Sequence, residues 1–189
     1  MPGSICGLWP ALYVTVYHEP RSTTNSTTSW TIREDDAPYG EIDIIEGYNN
    51  VDTNFATLHT KGEAGVCTFN PPEDQQTGTS NQGSTDCASG IGCSVQGKAG
   101  TYGTGFNQNG GGVYVLEWTS DAINIFNFAR SEVPADITDG NPNPANWGLP
   151  QAKFASSSGD CNIDANFPRQ TIVSFHEFLG VEVHSMGLT

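Results

Sequence analysis

The apolar residues of this 189-residue chain come in short runs, each cut off within a few positions by glycine, proline, asparagine or serine. That punctuation restricts the fold before any single residue is considered. No long stretch repeats apolar positions at helical spacing, so a helix would have no continuous stripe to bury. The runs are β-branched and aromatic, and the 22 glycines and 11 prolines supply turns between them. An all-β sandwich or barrel is the expected fold. The length suits a single domain with a sizeable core, and neither an internal repeat nor a second domain is visible.

The clearest buried strand is 41–48, Glu-Ile-Asp-Ile-Ile-Glu-Gly-Tyr, and 54–60 alternates well enough to be the next. Residues 61–112 are mostly Gly, Ser, Thr, Asn and Gln and read as a long loop that Cys67, Cys87 and Cys93 could staple. Asn109-Gly110, then Val113 to Trp118, a turn, and Ala122 to Phe128 read as a β-hairpin. A surface loop is expected over 131–150 and a short strand over 171–175. The 5 cysteines include no Cys-x-x-Cys pair, so disulfides in an oxidising compartment are expected, with one cysteine left over.

With 7 Lys+Arg against 21 Asp+Glu the formal net charge is -14. Nucleic acid is excluded as a partner, because counterion release needs a basic surface. An anionic membrane is excluded for the same reason, and no apolar run is long enough to span a bilayer. A neutral polymer remains compatible.

The chemistry lies in Glu41-x-Asp43-x-x-Glu46. Side chains alternate along a strand, so Glu41 and Asp43 share a face while strict alternation would bury Glu46 among isoleucines. One extra residue, a β-bulge at Ile44-Ile45, returns Glu46 to the face of the other two. Retaining glycosidases use two carboxyl groups roughly 5–5.5 Å apart, one as nucleophile and one as general acid/base. Three crowded carboxylates cannot all ionise easily, so at least one pKa should rise. The plain alternative is a strand whose acids face water.

Gly-Glu-Ile-Asp-Ile-Ile-Glu-Gly resembles the active-site motif of glycoside hydrolase family 16 in its bulged form. Cys6-Gly7-Leu8-Trp9-Pro10-Ala11, Ala56-Thr57-Leu58-His59-Thr60, residues 109–120 and Cys161-Asn162-Ile163-Asp164 are similar to that family's fungal laminarinase-like branch, in the same order. The resemblance implies a concanavalin-like jelly-roll sandwich with a concave cleft, and hydrolysis of β-1,3- or mixed β-1,3/1,4-glucans with retention. It implies Glu41 as nucleophile, Glu46 as acid/base and Asp43 as assisting carboxylate. Trp9 and Trp118 are candidate sugar platforms, and His59 a candidate partner of the acid/base or of a sugar hydroxyl. Such catalysis needs no cofactor or metal; the expected partner is a β-glucan, the expected state a monomer, and the expected location extracellular.

Three departures from the family pattern carry expectations of their own. The family usually has a signal peptide and several strands before the Cys-Gly-x-Trp-Pro segment, whereas here Met1 stands almost on it. Residues 14–29 read as an insertion, such as a retained intron, between Pro10-Ala11-Leu12 and Trp30-Thr31-Ile32. Residues 176–189 read as a non-native tail that replaces a Cys-Gly-Asp-Trp-like run and with it the expected partner of Cys161. Taken as written, 1–189 would be one catalytic domain, incomplete at both ends, of low stability and little activity. A cell-wall transglycosylase and an inactive carbohydrate-binding jelly roll are the alternatives.

Overall fold

The computed structural model describes residues 8–15, 40–81, 84–168 and 170–178. Eleven strands carry the fold among them: β1 (Leu8–Thr15), β2 (Glu41–Glu46), β3 (Phe55–His59), β4 (Cys67–Phe69), β5 (Thr79–Ser80), β6 (Cys93–Gln96), β7 (Gly112–Trp118), β8 (Ala122–Ala129), β9 (Ala152–Ala155), β10 (Gly159–Cys161) and β11 (Thr171–Phe178). They form a six-stranded sheet in the order β11-β1-β2-β3-β6-β5, a three-stranded sheet β7-β8-β9 and a two-stranded pair β10-β4. Every pairing is antiparallel. The all-β expectation is met. Among the described residues no helix is long and apolar enough to cross a membrane.

One apolar cluster joins the two larger sheets. The six-stranded sheet contributes Ile42, Ala56, Leu58 and Val95, and the three-stranded sheet contributes Ile123, Ile125 and Phe154. Ile42, Leu58, Ile123 and Ile125 are fully buried, and each such side chain stabilises the fold by about 1.5–3 kcal/mol relative to exposure. On each strand the residues between them point away from this core, and on β2 those residues are acids.

Two expectations change. The 61–112 loop contains β4, β5, β6 and a short helix, α1 (Gly103–Gln108). These pieces are two to six residues long, too short for periodicity to outweigh the turn residues around them. Second, Cys161 does not lack a partner, since it is bonded to Cys67, and Cys87 is bonded to Cys93. The first bond lies within the β4-β10 pair, where Cys67 and Cys161 stand opposite each other. Cys6 lies outside the described residues. The range read as an insertion, 14–29, begins within β1, whose Val14 and Thr15 pair with Ile42 and Glu41. The range read as a tail starts inside β11, where residues 176–178 pair with 8–10. The remainder of both ranges lies outside the described residues. The hairpin appears where expected, as β7 and β8.

Candidate active site

The site is built on β2 and depends on its irregularity. Against β3, Asp43 pairs with Thr57 and Glu46 with Phe55, so Ile44 and Ile45 together oppose Ala56 alone. Both isoleucines are buried at 8–9% exposure, which is why the strand bulges. Two successive apolar side chains stay on the core side, and the next residue emerges on the outer face. The bulge expected at Ile44-Ile45 is present.

Two glycines bracket the segment. A Cβ on Gly40 would stand 2.4 Å from the Phe167 ring, and one on Gly47 would stand 2.5 Å from the Tyr102 ring. Both aromatic rings are buried, so neither can step aside cheaply. The strand is therefore pinned at each end with the carboxylates between.

Cross-strand partners share a face, which places Thr57 with Asp43, Phe55 with Glu46 and His59 with Glu41. The Thr57 hydroxyl lies 3.2 Å from Glu46 Oε2 and 3.1 Å from the Ser94 hydroxyl. A hydroxyl has one proton, so Thr57 donates to the carboxylate while accepting from Ser94. That contact decides the geometry: a residue opposite Asp43 touches the carboxylate of Glu46, so both acids open onto one surface. His59 Nε2 lies 3.5 Å from Asp43 Oδ2, and its side chain is 35% exposed. Gly92 supports the ring from below, where a Cβ would meet it at 2.7 Å.

Burial is the main cause that holds the Asp43 carboxyl well above the usual carboxylate range, and the charges of Glu41 and Glu46 add to it. A hydrogen bond with Glu41 acts in the same direction. The Asp43 carboxyl therefore holds its proton to higher pH than an ordinary carboxyl, and it is hydrogen-bonded to Glu41. The expected rise in one carboxyl pKa thus falls on the middle acid. Tyr102, on Gly47, is pushed up to about 12 by burial and by the Glu46 charge. Glu41, Asp43 and His59 also bring ligand-type atoms within 4.8 Å of one another.

Three acids on one face of a sheet, the middle one with a raised pKa, resemble the carboxyl groups that glycosidases use. A family model described as the XgeA-like, catalytic GH16 domain matches residues 13–185. The chain belongs to glycoside hydrolase family 16. Two fungal relatives of this GH16 chain are 38% identical to it: a probable endo-1,3(4)-beta-glucanase of Aspergillus flavus, over 182 residues, and the endo-1,3(4)-beta-glucanase xgeA of Emericella nidulans, over 183. Both matches cover 95% of this chain, but only 24% and 25% of the relatives. The chain thus spans about a quarter of their length. Among solved structures, an elongating GH family 16 beta-1,3-glucosyltransferase superposes with a TM-score of 0.74 at 39% identity, covering 94% of this chain and 52% of that one. GH16 Laminarinase 16A from Phanerochaete chrysosporium, with beta-glucans in donor and acceptor sites, gives 0.72 at 35% identity, covering 94% and 54%. The fold is that of the GH16 jelly rolls.

The structure gathers Glu41, Asp43, Glu46 and His59 on one face of this GH16 domain, His59 beside Asp43 rather than Glu46. It does not bring Trp118 to them. Trp118 lies in the other sheet, in register with Ile123 and through it with Phe154, at the partly exposed end of the core-facing side. Trp9 falls in β1 opposite Glu177, and its side chain lies outside the described residues. Sequence reasoning missed Asn54, Ser94 and Tyr102, whose parts depend on register. It also missed an aromatic step beside the acids: Tyr48 stacks on Phe55 with ring centroids 5.6 Å apart. Phe55 could have been found, as it alternates with Thr57 and His59 along β3.

Proposed function

We propose that this chain is a retaining glycoside hydrolase acting on β-1,3- or mixed β-1,3/1,4-glucans by double displacement. The Glu41 carboxylate attacks the anomeric carbon while the Glu46 carboxylic acid protonates the departing glycosidic oxygen. Glu46, now ionised, takes a proton from water, and that water displaces Glu41 from the glycosyl ester, so the configuration is retained. Protonated Asp43 donates to Glu41, which steadies the nucleophile's charge before attack and lets it leave as a carboxylate afterwards. The observation that carries this reading is the bulge, which puts all three acids on one surface.

The substrate class rests on the named relatives and on the surface beside Glu46. Sugar rings present apolar C–H faces, and the Tyr48-Phe55 step offers a flat partner that includes the residue directly opposite the acid. Trp9 and His59 are further substrate contacts in this reading; Trp118 is not retained as one. The two disulfides suit an oxidising, extracellular setting.

Laminarin is the test substrate, with released reducing ends and the anomer formed first, followed by NMR. The expected result is β-product from the chain and a loss of about 10²–10⁴-fold in Glu46→Gln, with at least as large a loss in Glu41→Gln. Initial α-product, or full activity in Glu41→Gln, would refute the mechanism. The same assay tests the sequence-derived expectation of a weakly folded, inactive chain. A second reading, transfer of the glycosyl unit to another glucan, is favoured by the likeness to the elongating glucosyltransferase. Products longer than the substrate would identify it.

A further inference from the structure

A bulge that turns an acid toward substrate also interrupts the ladder, and something must hold it open. Between the Asp43-Thr57 and Glu46-Phe55 pairs two residues of β2 stand against one of β3, which puts the regular ladder out of step around the Ile44 carbonyl and the Glu46 N–H. The side chain of Asn54, the residue just before β3, meets both. Its Nδ2 donates to the Ile44 carbonyl at 3.0 Å, and its Oδ1 accepts from the Glu46 N–H at 3.0 Å. The amide thus stands where one more peptide group of β3 would be. Its orientation is unambiguous, because the carbonyl requires the nitrogen and the N–H requires the oxygen.

Asn54 is itself held on every other side, and it is 0% exposed. Its backbone N–H donates to Thr101 Oγ1 at 2.9 Å, and its carbonyl accepts from the Gly97 N–H at 2.7 Å. Gln151, which leads into β9 of the other sheet, pairs with it reciprocally. Asn54 Nδ2 donates to Gln151 Oε1, and Gln151 Nε2 donates to the Asn54 carbonyl, both at 3.3 Å. Both amide protons and the side-chain oxygen are used. A buried polar network with every member satisfied is rigid. The position of Glu46 is thereby referred to both sheets of the sandwich.

We propose that Asn54, oriented by Gln151, is a positioning residue for Glu46, which it holds on the substrate side by hydrogen-bonding the backbone across the bulge. The inference rests on the reading of Glu46 as acid/base, and it adds a requirement that catalysis alone does not impose. Asp in place of Asn54 would accept from Glu46 but could not donate to Ile44, and it would bury a charge near Asp43 and Glu46. Alanine would remove both of these hydrogen bonds.

The test uses the 189-residue chain and its Asn54→Ala and Gln151→Leu variants. A misplaced acid harms a substrate in proportion to its need for a proton. Asn54→Ala should lose about 10²-fold in kcat on laminarin, the scale of a misplacement near 1 Å. It should lose less than tenfold in kcat/KM on an aryl β-glucoside whose leaving group departs unprotonated, because kcat/KM ends at the glycosyl ester and leaves out the water step in which Glu46 acts as base. Gln151→Leu should show the same split at about tenfold, and it keeps the question answerable if Asn54→Ala does not fold. A second readout needs no turnover: carboxyl NMR of Asp43, which faces Glu41, Glu46 and His59. With Glu46 displaced, the Asp43 titration should move down toward the ordinary carboxylate range. Equal losses on both substrates with the Asp43 titration unmoved would overturn the proposal and leave Asn54 a purely structural residue. If the parent chain cleaves no glucan, the functional reading fails, and the Asp43 titration alone still decides whether Asn54 positions Glu46.

Discussion

Replacing Asp43 by asparagine should make this protein more stable and less active, with a stability gain that depends on pH in a defined direction. Asp43 is 3% exposed and stands between two other acids, with burial the largest cause of its raised pKa and Glu41 and Glu46 next. In the unfolded chain it titrates near the ordinary 3.8. Because the folded value is higher, the fold binds the proton more tightly than the unfolded chain does. The stability contributed by this group is therefore fully present below about pH 3.8 and is lost as pH rises through the folded value. Asparagine keeps the shape, and its Nδ2 can still donate to Glu41, but it never ionises. The difference between the two proteins should be of the usual size for a single substitution, about 0.5–3 kcal/mol, once Asp43 is ionised. The assay is urea unfolding of both proteins at a series of pH values from 3.5 to about 8. The difference should be near zero at the acid end, grow in favour of Asp43→Asn, and level off. Laminarin turnover should fall in the same variant, because the proton between Asp43 and Glu41 can no longer shift as Glu41 gains and loses charge. A stability difference that does not change with pH, or a variant less stable at neutral pH, would refute the claim that Asp43 is held protonated.

The two disulfides should differ in weight. Cys67–Cys161 closes a separation of 94 residues and Cys87–Cys93 one of 6, for which chain entropy gives about 4.7 and about 2.4 kcal/mol; thermal unfolding of Cys67→Ser/Cys161→Ser against Cys87→Ser/Cys93→Ser should show the first pair costing more. Phe55→Ala removes the lower ring of the aromatic step and should raise KM for laminarin several-fold with little change in kcat, because one stacked ring is worth about 0.5–1.5 kcal/mol; an unchanged KM would mean that the glucan does not cross this step.

What could be read from the chain without its coordinates follows from how local each signal is. The bulge was legible because Ile44 and Ile45 stand side by side between two acids, and a strand cannot bury both without breaking its own alternation. The hairpin of β7 and β8 was legible because a turn separates two long apolar runs. Asn54 was not, since a neutral amide before a strand has no distinguishing neighbour in the sequence, and its partners Thr101 and Gln151 are 47 and 97 positions away. The Cys67–Cys161 bond spans a comparable distance, and five cysteines alone allow many pairings. Trp118 was assigned to the cleft because its segment matched the family's, but a match in sequence says nothing about which sheet the segment joins. Register places it on the face of Ile123 and Phe154.

Because Ile44 and Ile45 sit opposite a single residue of β3, the length of this motif is decoupled from its handedness. Losing either isoleucine would leave acid and aliphatic residues in plain alternation, with the three carboxyl groups still on the same side. Long and short versions of such a catalytic strand are thus one codon apart, and a lineage can pass between them without an intermediate whose proton donor points into the protein's interior.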